Sequence, residues 1–456
     1  MTKNLYIKTF GCQMNVYDSE KMESILKPLD YSLVLDPEIA DLVILNTCHI
    51  REKASEKLFS DLGKLKKIQN NKKSMGKDLL VAVGGCVAQA QGEEIIKRAP
   101  NVSIVFGPQS YHKLPKLIES VEKKSESIVD IGFPTEEKFE SLNKKINSIN
   151  VSEYLTIQEG CNKFCTFCVV PYTRGVEYSR PIHDIIREAQ NLVLKGAKEI
   201  VLLGQNVNAY HGKGPLGKDI SFDYLISSIA EIESLERIRF TTSHPIDMSK
   251  KLILLFGSLP KLMPMLHLPV QSGSDRVLKL MNRKHTIKEY LDIIESLRSV
   301  CPDIAFSSDF IVGYPGETEK DFEETIKIVN KVKFAQSFSF KYSPRLGTPA
   351  ASESNQIDEK VKSIRLTRLQ TLLAEQQLAY NKIFEGKKVN VLFEKKHKSN
   401  KYITGRSQYM QLVHTELSEE NIDKFIGKTS NVYVNKATPH NLHAEFTEEV
   451  VHRKIN

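Results

Sequence analysis

The 456-residue sequence predicts a multidomain α/β protein: an N-terminal doubly wound parallel sheet, a central partial (β/α)6 barrel and a small all-β barrel at the C-terminal end. Three observations carry this. Residues 1–120 alternate strand-length apolar runs with amphipathic segments. From Val151 the same alternation resumes with a longer period. Beyond residue 385, strand alternation continues with no helical period. The composition, 41% hydrophobic and 26% charged, suits packed domains and excludes disorder over most of the chain. No run of about 18 apolar residues occurs, so no helical membrane span is expected.

In the N-terminal part, LYIKTF, DLVILNT, LLVAVGG and VSIVFGP read as buried parallel strands, because each is almost continuously apolar. Helical segments are expected between them at Ser19–Leu29, Arg51–Ile68, Gly92–Arg98 and His112–Glu122. Residues 121–150 are polar, carry Pro and Gly, and read as a linker. Over 151–384 the strand candidates are YLTIQ, EIVLLGQN, RIRFTTSH, MLHLPVQ, AFSSDFIV and QSFSFKYS. Six β/α units fit a partial barrel rather than a full eight-unit one, and a long helical pattern, Glu359–Phe384, follows. Over 385–449, GKKVNVLFEKK, KYITGRSQYMQLVH, KTSNVYVNKA and NLHAEF suggest a small closed sheet.

Net charge is +8, a mild excess that permits a polyanionic partner. The first residues, MTKNLYIKTFGC, lack an apolar signal core, so a cytoplasmic location is expected. Thiols stay reduced there, and the seven cysteines are expected to be ligands or catalysts rather than disulfides.

Cys161, Cys165 and Cys168 form C-x3-C-x2-C in a loop after a strand. Three thiolates at this spacing can each hold one iron of a cubane cluster, leaving the fourth iron open for a reaction. A closed zinc site is the alternative, with the distant His183 as its weak fourth ligand. Cys12, Cys48 and Cys86 lie 36 and 38 residues apart, each just after a predicted strand. In a parallel sheet those strand ends open onto one edge, so the three can converge. The functional reading is a second cluster with three protein ligands; the alternative is three unrelated buried thiols. Cys301, at a helix end, reads as a packed, inert thiol.

The C-x3-C-x2-C loop, with Phe167 before its last Cys, resembles the radical S-adenosylmethionine (SAM) superfamily. The two triplets together resemble its methylthiotransferase family over nearly the whole chain. The matching segments are TFGCQMN, LNTC, VPYTRG, LGQNVNAY, TSHP, HLPVQSGSDRVLKLMNRKHT, SSDFIVGYPGET and YSPRLGTPAA. Gln13-Met14-Asn15 points to the branch acting on N6-isopentenyladenosine in tRNA.

The resemblance implies a radical SAM core and a C-terminal TRAM domain, a small barrel associated with RNA binding. It implies two [4Fe–4S] clusters, one on Cys161, Cys165 and Cys168 and an auxiliary one on Cys12, Cys48 and Cys86. SAM would serve as radical source and methyl donor. The implied reaction adds sulfur and a methyl group at C2 of N6-isopentenyladenosine next to the anticodon, giving the 2-methylthio product. The C–H bond there is unactivated, which suits radical chemistry. An electron donor and a sulfur source are implied partners; no membrane is expected, and the chain is expected to act as a monomer. Three other readings are a methylthiotransferase for threonylcarbamoyl-adenosine, one for a ribosomal protein, and a non-enzymatic iron–sulfur RNA-binding protein.

Within that frame, polar residues at barrel strand ends are candidate SAM contacts: Gln205, Asn206, Ser243, Gln271 and Asp309, together with Glu159 beside Cys161. Turn hydrogen bonding is their alternative role. Arg174 is a candidate for a SAM carboxylate or an RNA phosphate, with an ordinary ion pair as the alternative. Gly386–Lys401 carries six Lys and one Glu, interleaved or flanked by Phe393, Tyr402 and Tyr409. Lys395, Lys396, Lys398 and Tyr402 are therefore candidate contacts to the tRNA anticodon arm.

Overall fold

The apolar runs of the N-terminal part pair as one parallel sheet. A computed structural model of the chain describes residues 2–49, 54–124, 126–133, 138–139, 150–399 and 401–446. Strands β1 (Lys3–Thr9), β2 (Tyr31–Leu33), β3 (Leu42–Thr47), β4 (Leu80–Gly85), β5 (Ile104–Phe106) and β6 (Ile128–Asp130) lie in the order β2-β1-β3-β4-β5-β6. Every neighbouring pair is parallel. Alternate residues feed opposite faces. Leu42, Ile44 and Ala82 pack with Met22, Leu26 and Ile118, from helices Gln13–Leu26 and Leu114–Lys124. Val43, Leu45, Val81 and Val83 pack with Leu58, Leu62 and Ile95, from helices Ala54–Ser74 and Glu93–Arg98. The sheet is thus wound on both sides, as the sequence implied.

Three details differ from expectation. The first helix begins at Gln13 rather than Ser19, because the Cys12 backbone already accepts from Asn15 and Val16. The start of the segment Arg51–Ile68 lies outside the described residues, and its helix runs on to Ser74. The segment read as a linker, 121–150, is partly structural: Ile128–Asp130 is the sixth strand, and Lys138 is fully buried. Three-residue edge strands carry too short an apolar signal to stand out.

The chain divides into two compact units. The first holds Met1–Ser148, Gln158–Asn162 and Val169–Arg180; the second holds Ile149–Ile157, Lys163–Cys168 and Pro181–Asn456. Strand β7 (Ser152–Thr156) belongs to the second, whereas the antiparallel ribbon β8 (Gln158–Glu159) and β9 (Tyr178–Ser179) belongs to the first.

In the second unit all six anticipated barrel strands are present: β7, β10 (Glu199–Leu203), β11 (Arg237–Phe240), β12 (Met265–His267), β13 (Ala305–Val312) and β14 (Gln336–Lys341). They form parallel triplets β7-β10-β11 and β12-β13-β14, linked by a backbone bridge between Ile238 and Leu262. Helices Ile182–Leu194, Phe222–Ala230, Ile287–Val300 and Glu319–Val332 cover them, two started by capping boxes at Thr286 and Thr318.

The C-terminal barrel is closed: β15 (Lys388–Lys396), β16 (Tyr402–Ser407), β17 (Leu412–Glu416), β18 (Thr429–Ala437) and β19 (Asn441–Phe446), in the order β15-β16-β17-β19-β18. The run KYITGRSQYMQLVH is two strands joined by a turn, with Met410 at φ +71°. A short helix, Glu419–Phe425, was not anticipated; it plugs the barrel with Ile422 and Phe425. Arg237 and Arg239 of β11 donate to backbone carbonyls of Arg406, Ser407 and Gln408, seating the barrel on the core.

Candidate cluster and cofactor sites

In a doubly wound sheet, ligands bind where the strand order reverses, outside the carboxyl ends of the strands. Here the reversal lies between β1 and β3. Cys12 caps the helix after β1, Cys48 follows β3 directly, and Cys86 opens the helix after β4. The three predicted thiols therefore occupy neighbouring strand ends around the switch point. Gly11 (φ +100°) makes the approach possible: a Cβ there would lie 2.1 Å from Cys48 Cβ and 2.4 Å from its Sγ. Gly85 (φ +89°) likewise leaves room for the Thr47 carbonyl.

Side-chain amides and a hydroxyl tie the three loops together. Asn15 Nδ2 donates to the carbonyls of Phe10 (2.9 Å) and Thr47 (2.8 Å). Asn46 Nδ2 donates to the Asn15 carbonyl at 2.8 Å. Thr47 Oγ1 donates to the Gly84 carbonyl and accepts from the Val87 and Ala88 amides. The Cys12 thiol is shifted down to about 6, chiefly by its hydrogen bond with Cys48, then by the Arg174 charge. Burial pushes the Cys86 thiol up, with Arg174 working against the shift. Among the described residues no three His, Cys, Asp or Glu side chains close on one point. The donor chemistry nonetheless fits an iron–sulfur group: three thiols on adjacent strand ends, glycine clearance and a compensating cation.

That cation was offered three roles by the sequence, and the structure gives it the ion pair. Arg174 is buried; its Nη2 donates to Asp18 Oδ2 (2.7 Å) and Asn15 Oδ1 (3.1 Å), and its Nη1 to Glu159 Oε1 (3.1 Å). Lys138 Nζ donates to Glu159 Oε1 at 2.5 Å. Glu159, a candidate cofactor contact, gives its Oε1 to Lys138 and Arg174, while its Oε2 is buried without a hydrogen bond among the described residues. Burial opposes its charge, but the two cations hold its carboxyl below the usual range.

In the second unit the loop around Cys165 and Cys168 is pinned to the barrel. Thr166 Oγ1 bonds Tyr314 Oη (2.7 Å), and its amide donates to the Met281 carbonyl. Asn282 Nδ2 donates to the carbonyls of Lys163 and Phe164. Phe167 packs against the small cluster of Val277, Met281, Tyr314 and Tyr342. Arg283 Nη1 lies 3.6 Å from Cys165 Sγ, and Lys163 pairs with Asp247 at 2.8 Å. His183, the candidate fourth zinc ligand, is exposed beside Asp184.

The predicted SAM contacts sit at strand ends with different commitments. Asn206 Nδ2 donates to Asp247 Oδ2 (2.8 Å), while its Oδ1 is buried without a partner among the described residues, as is Ser243 Oγ. Gln271 holds φ +73° and bridges to Phe310, and Asp309 lies 3.4 Å from His267 Nε2. Gln205 precedes Asn206 in the loop after β10. Sequence reasoning missed His244, Arg283 and His285, though all lie in quoted motif segments. The two imidazoles meet edge to face at 5.6 Å. Burial, then the Arg283 charge, drives them down to about 2 and about 4, so both are neutral. His244 Nε2, His285 Nε2 and Arg283 Nε are also buried without partners among the described residues. Such a set of orphaned polar atoms suits a polar ligand.

On the C-terminal barrel, Lys395 and Lys398 are exposed and Lys396 pairs with Glu419 at 2.6 Å. Phe393 is core, and Tyr409 packs on Phe384 and bonds Asp303, so neither is placed to stack on a base. The predicted Tyr402 begins a row of rings continued by three histidines that the sequence did not suggest, His397, His414 and His443, at successive spacings of 6.0, 5.2 and 5.8 Å. They come from separate strands and loops, so no local motif announces them.

The barrel and its cysteine loop define a radical SAM protein. A model of the radical SAM superfamily matches residues 155–329, and one described as uncharacterized protein family UPF0004 matches 4–107. The chain is 53% identical over 446 residues to the tRNA-2-methylthio-N(6)-dimethylallyladenosine synthase of Rickettsia conorii, covering 98% of this chain and all of that one. It is 56% identical over 443 residues to the synthase of the same name from Wolbachia pipientis of Culex pipiens, covering 96% and 99%. The chain belongs to the methylthiotransferase family of radical SAM enzymes. Two solved structures share the fold at 12% identity. The radical SAM methyltransferase TsrM of Kitasatospora setae, with tryptophan and a SAM analogue bound, has a TM-score of 0.56 over 77% of this chain and 75% of that one. The cobalamin-dependent radical SAM enzyme OxsB has a TM-score of 0.51 over 82% of this chain, which spans 56% of that protein's length.

Proposed function

We propose that this protein modifies tRNA, placing a methylthio group at C2 of N6-isopentenyladenosine beside the anticodon. One observation supports this above the rest: Cys12, Cys48 and Cys86 stand on three neighbouring strand ends, in a chain that also carries the Cys161-Cys165-Cys168 loop. A plain radical SAM enzyme needs only the second set. The names of the full-length relatives point the same way.

In this reading Cys161, Cys165 and Cys168 hold one [4Fe–4S] cluster, and Cys12, Cys48 and Cys86 hold another. When bound, the two groups supply an electron for SAM cleavage and a site for the transferred sulfur. The chain's own residues hold and orient. Asn206, Ser243, His244 and His285 offer buried, unsatisfied polar atoms to the cofactor, with Gln205, Gln271 and Asp309 at adjoining strand ends. Neutral His244 and His285 add no competing positive charge. Lys395, Lys398 and Tyr402 contact the anticodon arm, with Lys396 shared between RNA and Glu419. The domain limits proposed are 1–120 for the cluster-bearing sheet, 151–384 for the radical SAM core and 385–449 for a TRAM domain. Residues 121–150 join the first two and lend β6 to the sheet.

Mass spectrometry of tRNA nucleosides from cells with and without the protein tests the reading. Loss of 2-methylthio-N6-isopentenyladenosine with accumulation of its unmethylthiolated precursor is expected. An unchanged nucleoside profile would refute it.

A further inference from the structure

The buried charges beside the N-terminal thiols are not needed to fold a doubly wound sheet. Asp18, Lys138, Glu159 and Arg174 are all almost wholly buried, and they come from all three chain segments of the first unit. Replacing such a set by apolar residues is often neutral or stabilising, so its presence calls for another role. Its geometry suggests one. The Arg174 guanidinium donates to Asn15 Oδ1, which itself lies 3.7 Å from Cys12 Sγ. Asn15 is the residue that binds the carbonyls of Phe10 and Thr47, the backbone just before Gly11-Cys12 and Cys48. The next residue, Gly175, accepts the Cys161 amide through its carbonyl at 3.3 Å. Gln109 Nε2 fixes the Arg174 carbonyl itself at 3.0 Å.

We infer that Arg174 is a positioning residue for the N-terminal cysteine site: it locks Asn15, and through it the Cys12 and Cys48 loops, while holding one fixed positive charge beside the cluster-binding thiols. Its neighbours calibrate that charge. Asp18 and Glu159 hold the guanidinium in place, and Lys138 offsets the second carboxylate. A planar fork reaching Asn15, Asp18 and Glu159 at once is a task for Arg rather than Lys. Net charge and hydrogen bonding near the sulfurs set the reduction potential of an iron–sulfur group. Arg174 therefore raises the potential of the group bound there, and Glu159 lowers it.

This inference rests on the reading of Cys12, Cys48 and Cys86 as cluster ligands, and the experiment separates the two. The full-length chain with Cys161, Cys165 and Cys168 all changed to Ala is reconstituted anaerobically with iron and sulfide. It is then titrated electrochemically, with the reduced cluster followed by electron paramagnetic resonance. Iron bound by this parent supports the reading; no iron would overturn the reading and the inference with it. On that background Arg174→Gln should shift the midpoint to more negative potential, Arg174→Lys should shift it less, and Glu159→Gln should shift it the opposite way. If Arg174→Gln fails to take up iron, Arg174→Lys and Glu159→Gln still decide the sign. Shifts of the same direction for Glu159→Gln and the Arg174 variants, or unchanged potentials with full iron, would overturn the inference.

Discussion

The two cysteine triplets are built on opposite plans. Cys161, Cys165 and Cys168 sit within one loop, where the spacing along the chain keeps the thiols near one another. Cys12, Cys48 and Cys86 come to neighbouring strand ends only through the order of β1, β3 and β4 in the sheet. The first plan writes its chemistry into a short motif. The second writes it into a fold, and it fails when any strand end moves. Changes to the sheet should therefore damage one site and spare the other.

The largest expected effect falls on the loop. Changing Cys161, Cys165 and Cys168 together to Ala should abolish 5′-deoxyadenosine formation and leave about half the iron, measured per chain. Loss of all the iron would mean the strand-end site has no independence. A change at one glycine should do the converse. Gly11→Ala must place a Cβ on Cys48 at a φ of +100°. Iron should fall to about half while SAM cleavage persists, assayed by chromatography of 5′-deoxyadenosine.

Acid should also distinguish the two regions. His244 and His285 of the second unit are neutral when folded, with values driven to about 2 and about 4. Unfolded imidazoles bind protons below about pH 6.5, so the unfolded state gains protons that the folded state refuses. Stability therefore falls as pH drops from about 6.5, by roughly 2 kcal/mol per histidine at pH 5. Glu159 of the first unit behaves differently. Its lowered value gives stability that is present above the usual carboxylate range and lost only below it. Hydrogen exchange of the ligand-free protein at pH 7 and pH 5 should show the amides around His244 and His285 loosening and those around Glu159 unchanged; elsewhere in the second unit Glu317, whose carboxyl burial pushes up to about 7, takes up a proton over the same range and opposes the loss.

Smaller effects test the supports. Asn15→Ala removes two donated bonds at the sheet edge and should cost about 1–3 kcal/mol in urea unfolding. Changing Lys395, Lys396 and Lys398 to Ala should weaken tRNA binding and flatten its salt dependence, by about one unit of slope for each phosphate no longer neutralised. Lys396 should contribute least, because Glu419 already engages it. An unchanged slope would remove this face from the RNA-binding surface.

The legibility of the molecule follows the same division. All six barrel strands were readable, most plainly where the run is wholly buried, as in Glu199–Leu203 and Arg237–Phe240, and so was the closed C-terminal sheet. Tyr31–Leu33 and Ile128–Asp130 were not, because three residues at a sheet's rim bury too little to leave a pattern. The helix Glu419–Phe425 was hidden by its length, with only Ile422 and Phe425 inward. Arg174 was visible as a residue but not as a partner of Asp18, which lies 156 positions away. Such pairings need the fold, as do the His244–His285 pair and the ring row on the barrel.

In the proposed function one chain carries two sites with separate duties. Changing Cys12, Cys48 and Cys86 together to Ala, then assaying the reduced, reconstituted protein with SAM and isopentenylated tRNA, tests it most directly. Continued 5′-deoxyadenosine formation with no 2-methylthio nucleoside is expected. Full methylthiolated product from that variant would contradict it.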